Sequence, residues 1–395
     1  MSKPAPLLMI PGPIEVSPAV RERFGTAPPG HLAPGLIEAF GAALEMMREV
    51  WMADRSARPL VVAGGGTLGM ELAAANLVEP GARVLVVNTG YFSDRIAEML
   101  RRQGAAVSEL RAEVGDAPTT EQVAEALDEG GFKALFATHV DTSTGVLLDA
   151  APLARLARER EVLSIFDGVC ATAAERFEMS EWGADCYLTA SQKAIGLPPG
   201  LALSVLSERA LAARASRRAI APPMYLDWEA WLPIMEAYEE RRPAYFSTPA
   251  TNLILALEVG LREILDDGME ARLARHRQAA RAMRAGWRAL GLEPLPVREE
   301  LSAHTLSALR YPEGIDASLV GRIAGHGVIV AGGLHPALRD RYFRVGHMGY
   351  AVGRPEMLLR TIRAVGAALA DSGAHVDPEI AVQAGSEVLE DAAVP

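Results

Sequence analysis

Two residues that follow apolar runs carry the sharpest chemical signal in this sequence. Ser164-Ile165-Phe166-Asp167-Gly168 ends one run on a carboxylate. Leu188-Thr189-Ala190-Ser191-Gln192-Lys193-Ala194-Ile195-Gly196 ends another on polar residues and an amine. Taken singly, such an aspartate reads as a helix cap or a metal ligand, and such a lysine as surface. Upstream, Val61-Val62-Ala63-Gly64-Gly65-Gly66-Thr67-Leu68 is a strand, a glycine turn and a helix start. Glycines let backbone amides approach an anion, and the helix N-terminus adds partial positive charge. The turn is therefore built like a phosphate cradle, with a tight turn that holds no ligand as the plainer alternative. Near the C-terminus, Tyr342-Phe343-Arg344-Val345-Gly346-His347 puts an arginine on an apolar strand. Its fork suits a carboxylate, unless the side chain simply snorkels to the surface.

An amine, a carboxylate and a phosphate cradle on neighbouring strand ends are the parts that pyridoxal 5'-phosphate requires. The amine forms a Schiff base with its aldehyde, and the carboxylate keeps the ring nitrogen protonated so that the ring accepts electrons. A pyridinium favours an ionised Asp167, and a partly desolvated Lys193 gives up its proton more readily and becomes a nucleophile. Phe92, just past Asn88-Thr89-Gly90-Tyr91, can stack on the ring, and His139-Val140-Asp141-Thr142-Ser143-Thr144-Gly145 offers a hydroxyl. The glycine turn also matches G-x-G-x-x-G at Gly64, Gly66 and Gly69, so a nicotinamide-dependent oxidoreductase is a rival. That chemistry needs an acid at the end of the next strand, which here ends Val86-Val87-Asn88-Thr89-Gly90. A binding module without catalysis is a third reading.

These residues need a scaffold, and the alternation of short and long patterns supplies one. Predicted strands at Leu60–Ala63, Val84–Val87, Ala106–Leu110, Ala134–Thr138, Leu163–Phe166, Cys186–Thr189 and Ala202–Leu206 alternate with helices at Leu68–Leu77, Ser93–Gln103, Glu121–Glu129 and Ala151–Arg160. This predicts an α/β fold with a mostly parallel sheet flanked by helices, whose sites lie at the carboxyl ends of strands. Long amphipathic helices are expected at Asn252–Asp266 and Glu270–Leu290, then a smaller α/β mixture over about 295–370. The division expected is an N-terminal arm over 1–20, a large domain over 21–265, a small domain over 266–371 and a tail over 372–395. The tail carries Asp377, Glu379, Glu387, Glu390 and Asp391 and no Lys or Arg, and reads as solvated and disordered.

With 395 residues, half of them apolar, and 23% charged, the chain can bury a large core. A net charge of −11 disfavours nucleic acid and anionic membrane as partners. Cys170 and Cys186 match no zinc or redox spacing and are expected to be reduced and buried. No leader pattern and no long apolar run are visible, so a soluble cytoplasmic enzyme is expected. His276, His304, His326 and His375 form no ligand spacing, so no metal is expected.

Taken in order, these motifs resemble the class V aminotransferases of fold type I, and within them the alanine–glyoxylate aminotransferases, the fungal type above all. The similar stretches are Ile10-Pro11-Gly12-Pro13-Ile14, Ala63 to Gly69, Thr89-Gly90-Tyr91-Phe92-Ser93-Asp94-Arg95, His139 to Gly145, Ala190 to Gly196, Pro233-Ile234-Met235-Glu236, Ala331-Gly332-Gly333-Leu334-His335 and Arg344 to Gly349. The resemblance implies Lys193 as the Schiff-base lysine, Asp167 at the pyridine nitrogen, Phe92 on the ring and Thr142 at the ring hydroxyl. Gly65, Gly66, Thr67 and Gln192 would hold the phosphate. Many relatives have serine where Gly65 stands, so Gly65 could offer only its amide. Arg344 would bind the substrate carboxylate, with the Gly30-His31 turn lining the same pocket. Tyr245 and Thr248 would reach the phosphate of the other subunit of a homodimer, and residues 1–20 would cross to that subunit. The implied activity moves the amino group of alanine to glyoxylate, giving pyruvate and glycine, as in glycine biosynthesis. Serine–glyoxylate or serine–pyruvate exchange is the alternative. Cysteine desulfuration is disfavoured, because no cysteine follows Cys186 to act as nucleophile.

Overall fold

The computed structural model describes residues 5–391. Seven strands form the main sheet: β1 (Arg58–Ala63), β2 (Arg83–Asn88), β3 (Ala106–Arg111), β4 (Phe132–Thr138), β5 (Leu163–Asp167), β6 (Cys186–Ala190) and β7 (Leu201–Leu206). Their order is β1-β7-β6-β5-β4-β2-β3. Val84 to Val87, Ala134 to Ala137 and Ile165 and Phe166 are almost wholly buried, as strands covered by helices on both faces must be. Parallel pairing sets Thr138 beside Asp167 and Asp167 beside Leu188, so the carboxyl ends of β4, β5 and β6 share one rim.

One strand departs from the parallel pattern. β7 runs antiparallel to both β6 and β1. A parallel return needs a crossover of about a dozen residues or more, usually helical. The loop from Ala190 to Leu201 is too short for that, so the chain turns straight back. That turn is the loop that carries Lys193.

A second sheet of three strands, β8 (Leu306–Arg310), β9 (Ala331–Gly332) and β10 (Tyr342–Gly346), has the order β8-β10-β9. The helices Thr251–Asp267 and Met269–Ala289 lie between the two sheets in sequence. Apolar burial divides accordingly. One core runs from Val20 to Ile264, and another joins Leu7 and Met9 to residues between Ala279 and Val382.

One expectation about the termini is corrected. The acidic C-terminal segment is not disordered over its described length: Pro378–Asp391 is a helix. Its small inner residues Ala381, Val382 and Gly385 pack closely, with Gly385 against Ile362 and the Ala282 carbonyl. Gln278 also donates to the Leu389 carbonyl at 2.8 Å. The acids occupy the outer face, where Glu379 pairs with Arg363. At the other end, the described N-terminal residues are tied to the chain's own small unit before the first helix. Leu7 and Leu8 pair in parallel with Val328 and Ile329 of the same chain, and a helix begins at Pro18. Leu7 and Met9 bury apolar surface there, which holds this stretch on its own small core. No helix among the described residues is long and apolar enough to cross a membrane.

Candidate active site

Lys193 follows β6 on the short return to β7 and is buried. Its Nζ donates to the Pro11 carbonyl. Gly12, at φ +92°, lies against the lysine stem, and a Cβ there would stand 2.4 Å from Lys193 Cδ. Only glycine combines that backbone with that approach. Burial lowers the Lys193 pKa; the neighbouring Cys170 opposes this, the Arg344 charge adds to it, and Asp167 opposes it. An amine in this setting gives up its proton more easily than one in water, and the deprotonated form is the one that acts as nucleophile or base.

Asp167 ends β5, with its Oδ1 accepting from the Val169 amide at 2.9 Å. Burial pushes its pKa up to about 7, although the Val169 amide lowers it; Asp141 raises it further and Lys193 lowers it. A buried carboxylate with a single hydrogen bond calls for a cation, and a ring N–H⁺ is the cation that pyridoxal phosphate would bring. The same shift carries a prediction. A group whose pKa rises from 3.8 to about 7 on folding loses stabilisation as pH climbs through that window. Cofactor-free Asp167→Asn protein should therefore gain stability relative to the cofactor-free parent between about pH 4 and 7. Melting curves of the two apoproteins check this, and a difference that does not change with pH would refute it.

His139 follows β4 beside Asp167, to whose carbonyl its amide donates at 2.9 Å. Burial lowers its pKa to about 4, so the ring is neutral, and its Nδ1 lies 2.9 Å from the Tyr187 hydroxyl. The next turn holds Asp141, a site residue whose role no motif in the sequence marks. Its carboxylate accepts from the Phe92 amide at 3.1 Å, the Ser93 amide at 3.4 Å, the Ser143 amide at 2.9 Å and the Ser143 hydroxyl at 2.6 Å. It thereby caps the helix Tyr91–Arg102, which has no side-chain cap of its own, and fixes half-buried Phe92. Tyr91 stands edge-on to Phe92, and the Arg95 guanidinium lies 4.9 Å from the Tyr91 ring while reaching Thr67 Oγ1 at 3.2 Å.

The glycine turn leads into the helix Gly66–Leu77, whose N-cap Gly65 supplies no side-chain bond. The amides of Gly66 and Thr67 have no acceptor among the described residues. Nothing lies within 4 Å of a Cβ on Gly65, whereas one on Gly66 would meet Val169 at 2.7 Å. Gln192 Oε1 is buried without a partner, as is Thr89 Oγ1. A Gln amide turned over presents N–H instead, which suits an anion. Uncapped helix amides, an unpartnered buried amide and an amine with a carboxylate in electrostatic reach all fit pyridoxal phosphate.

Arg344, on β10, is buried and spans from the small sheet to the large domain. Its Nε donates to the Gly332 carbonyl at 2.9 Å and its Nη1 to the Thr142 carbonyl at 3.1 Å. Lys193, Asp167, Thr142 and Arg344 thus belong to one neighbourhood. Tyr245, Thr248 and Gly30 do not join it within this chain. Tyr245 is 57% exposed, its hydroxyl is 3.3 Å from Thr248 Oγ1, and its ring lies 5.1 Å from that of His31. Both cysteines are free and buried, as expected.

An electron-sink cofactor held at the rim of a parallel-rich sheet, with a second α/β unit over it, defines the fold type I pyridoxal-phosphate enzymes. Comparison with known proteins narrows this. Residues 30–350 match the family model for class V aminotransferases. Alanine–glyoxylate aminotransferase 1 of Saccharomyces cerevisiae is 37% identical over 88% of this chain and 93% of its own length. L-Aspartate–glyoxylate aminotransferase of Paracoccus denitrificans is 32% identical over 96% of this chain and 95% of its own. The crystal structure of ureidoglycine–glyoxylate aminotransferase from Bacillus subtilis superposes with a TM-score of 0.91, at 28% identity, covering 99% of both chains. The chain belongs to the class V aminotransferases and is a pyridoxal-phosphate-dependent transaminase.

Proposed function

We propose that this enzyme moves the amino group of alanine to glyoxylate, giving pyruvate and glycine, with Lys193 as the residue that holds the cofactor aldehyde. The observation that carries the reading is the 37% identity, over nearly the full length, to a yeast enzyme named for that exchange. Glyoxylate is common to all three relatives above, while their donors differ. When bound, pyridoxal phosphate supplies an electron sink that makes the α-hydrogen of an amino acid acidic. The chain's own residues do the rest. Lys193 Nζ takes the α-proton and returns it, Asp167 holds charge opposite the ring nitrogen, and Arg344 fixes the substrate carboxylate by its fork. Gly65, Gly66, Thr67 and Gln192 would hold the phosphate, Phe92 would cover the ring, and Thr142 would bond the ring hydroxyl.

The exposed pair Tyr245 and Thr248 supports a homodimer in which each chain completes the phosphate site of the other. Exposed apolar side chains at Ile220, Met224 and Tyr225 favour the same reading. The Gly30-His31 turn, adjoining Tyr245, would enter the partner's substrate pocket by the same route. The test is a donor panel of alanine, serine and aspartate against glyoxylate and pyruvate. Alanine with glyoxylate should give the highest kcat/KM, and a clear preference for serine or aspartate would overturn the choice of donor.

A further inference from the structure

Arg344 is not alone on its strand. Tyr342 lies two residues earlier, so both side chains leave β10 on the same face. Arg344 reaches the Thr142 carbonyl, and the Tyr342 hydroxyl donates to the next carbonyl of that loop, Ser143. The same hydroxyl accepts from the amides of Leu334 and His335, each at 2.8 Å. A phenol has one proton to give and two lone pairs, so its capacity is filled. Tyr342 is fully buried, and a Cβ on Gly333 would stand 2.6 Å from its Cε1. One oxygen therefore ties together the strand of Arg344, the loop over Gly332 and the large-domain loop that carries Thr142.

Arg344 spends two of its donors on the Gly332 and Thr142 carbonyls. A substrate carboxylate competes for that guanidinium, and the bonds that Arg344 gives up no longer hold β9 and the Thr142 loop. The Tyr342 bonds use no atom of Arg344 and persist when it turns. We propose that Tyr342 is a positioning residue for carboxylate recognition, keeping the Thr142 loop and the Arg344 strand in register while Arg344 engages substrate. This rests on the reading of Arg344 as the carboxylate site.

The test compares the parent holoenzyme with Tyr342→Phe, which removes only the hydroxyl from a tightly packed ring. KM for both alanine and glyoxylate should rise about tenfold, since losing a buried hydrogen-bond partner is felt at that scale. Reaction with ethylamine, which lacks a carboxylate, should stay within about twofold. In an Arg344→Gln background the same change should add little, because the two residues act on one interaction. Unchanged KM values, equal losses on ethylamine, or full additivity would each overturn the inference. A silent Tyr342→Phe with a damaging Arg344→Gln sinks this inference alone, whereas a harmless Arg344→Gln sinks the carboxylate site and this inference with it. Should the variant not fold, hydrogen exchange in the parent decides. The Leu334 and His335 amides should be protected and remain so when alanine binds, and fast exchange would contradict the role.

Discussion

Lys193→Ala should abolish turnover while leaving a folded protein. The expected fall in kcat is at least about 10⁴-fold, because the variant loses a proton-transferring group as well as the amine that holds the cofactor. Stability should change little in the unfavourable direction. The lost amine is buried with a lowered pKa, so its charged form is costly where it sits, and its one bond is to the Pro11 carbonyl. Steady-state transamination and thermal melting measured on the same preparation separate the two effects. Near-normal transamination by the variant would end the assignment. An unfolded variant would instead show that the amine supports the Pro11–Gly12 segment.

The second large effect is expected at Arg344. Replacing it with glutamine removes the charge and the fork, so kcat/KM for alanine and glyoxylate should fall roughly 10²- to 10³-fold. Arg344→Lys keeps the charge without the paired geometry and should fall between the parent and the glutamine variant. The loss should sit mainly in KM, since the carboxylate is held alike before and during proton transfer. Ethylamine discriminates again, because its reaction should be almost unaffected. Equal losses with and without a substrate carboxylate would assign Arg344 a purely structural role, through its bonds to Gly332 and Thr142.

What the sequence made legible follows a physical rule. Strand ends were readable because buried parallel strands are short apolar runs, and the residue after each run lands on the rim where sites form. Asp167, Lys193 and the glycine turn are of this kind. One more signal was available: the chain has three lysines, Lys3, Lys133 and Lys193, in a cation set that is otherwise arginine. Of Lys133 and Lys193, the first is exposed and the second buried. Contacts between distant segments were not readable. Pro11 and Gly12 meet Lys193 across most of a domain's length of chain, and Asp141 caps a helix that starts near Tyr91. Tyr342 has no pattern that sets it apart from a core tyrosine until its three partners are in place. The C-terminal helix is not legible because charge on an outer face says nothing about the inner one, where small residues allow close packing.

The direction of β7 shows the same limit from the other side. Its apolar run is visible in the sequence, but its orientation depends on the length of the return loop, which an apolar pattern does not encode. The geometry serves the site, since a tight return fixes Lys193 between two buried strands.

Borohydride reduction of the holoenzyme, followed by peptide mass spectrometry, identifies the amine that holds the cofactor. Reduction locks the cofactor to whichever amine holds it. A single pyridoxyl-modified peptide containing Lys193 is expected, with Lys3 and Lys133 unmodified. A pyridoxyl group on Lys133, or a protein that takes up no B6 vitamer to be reduced, would contradict the assignment of Lys193.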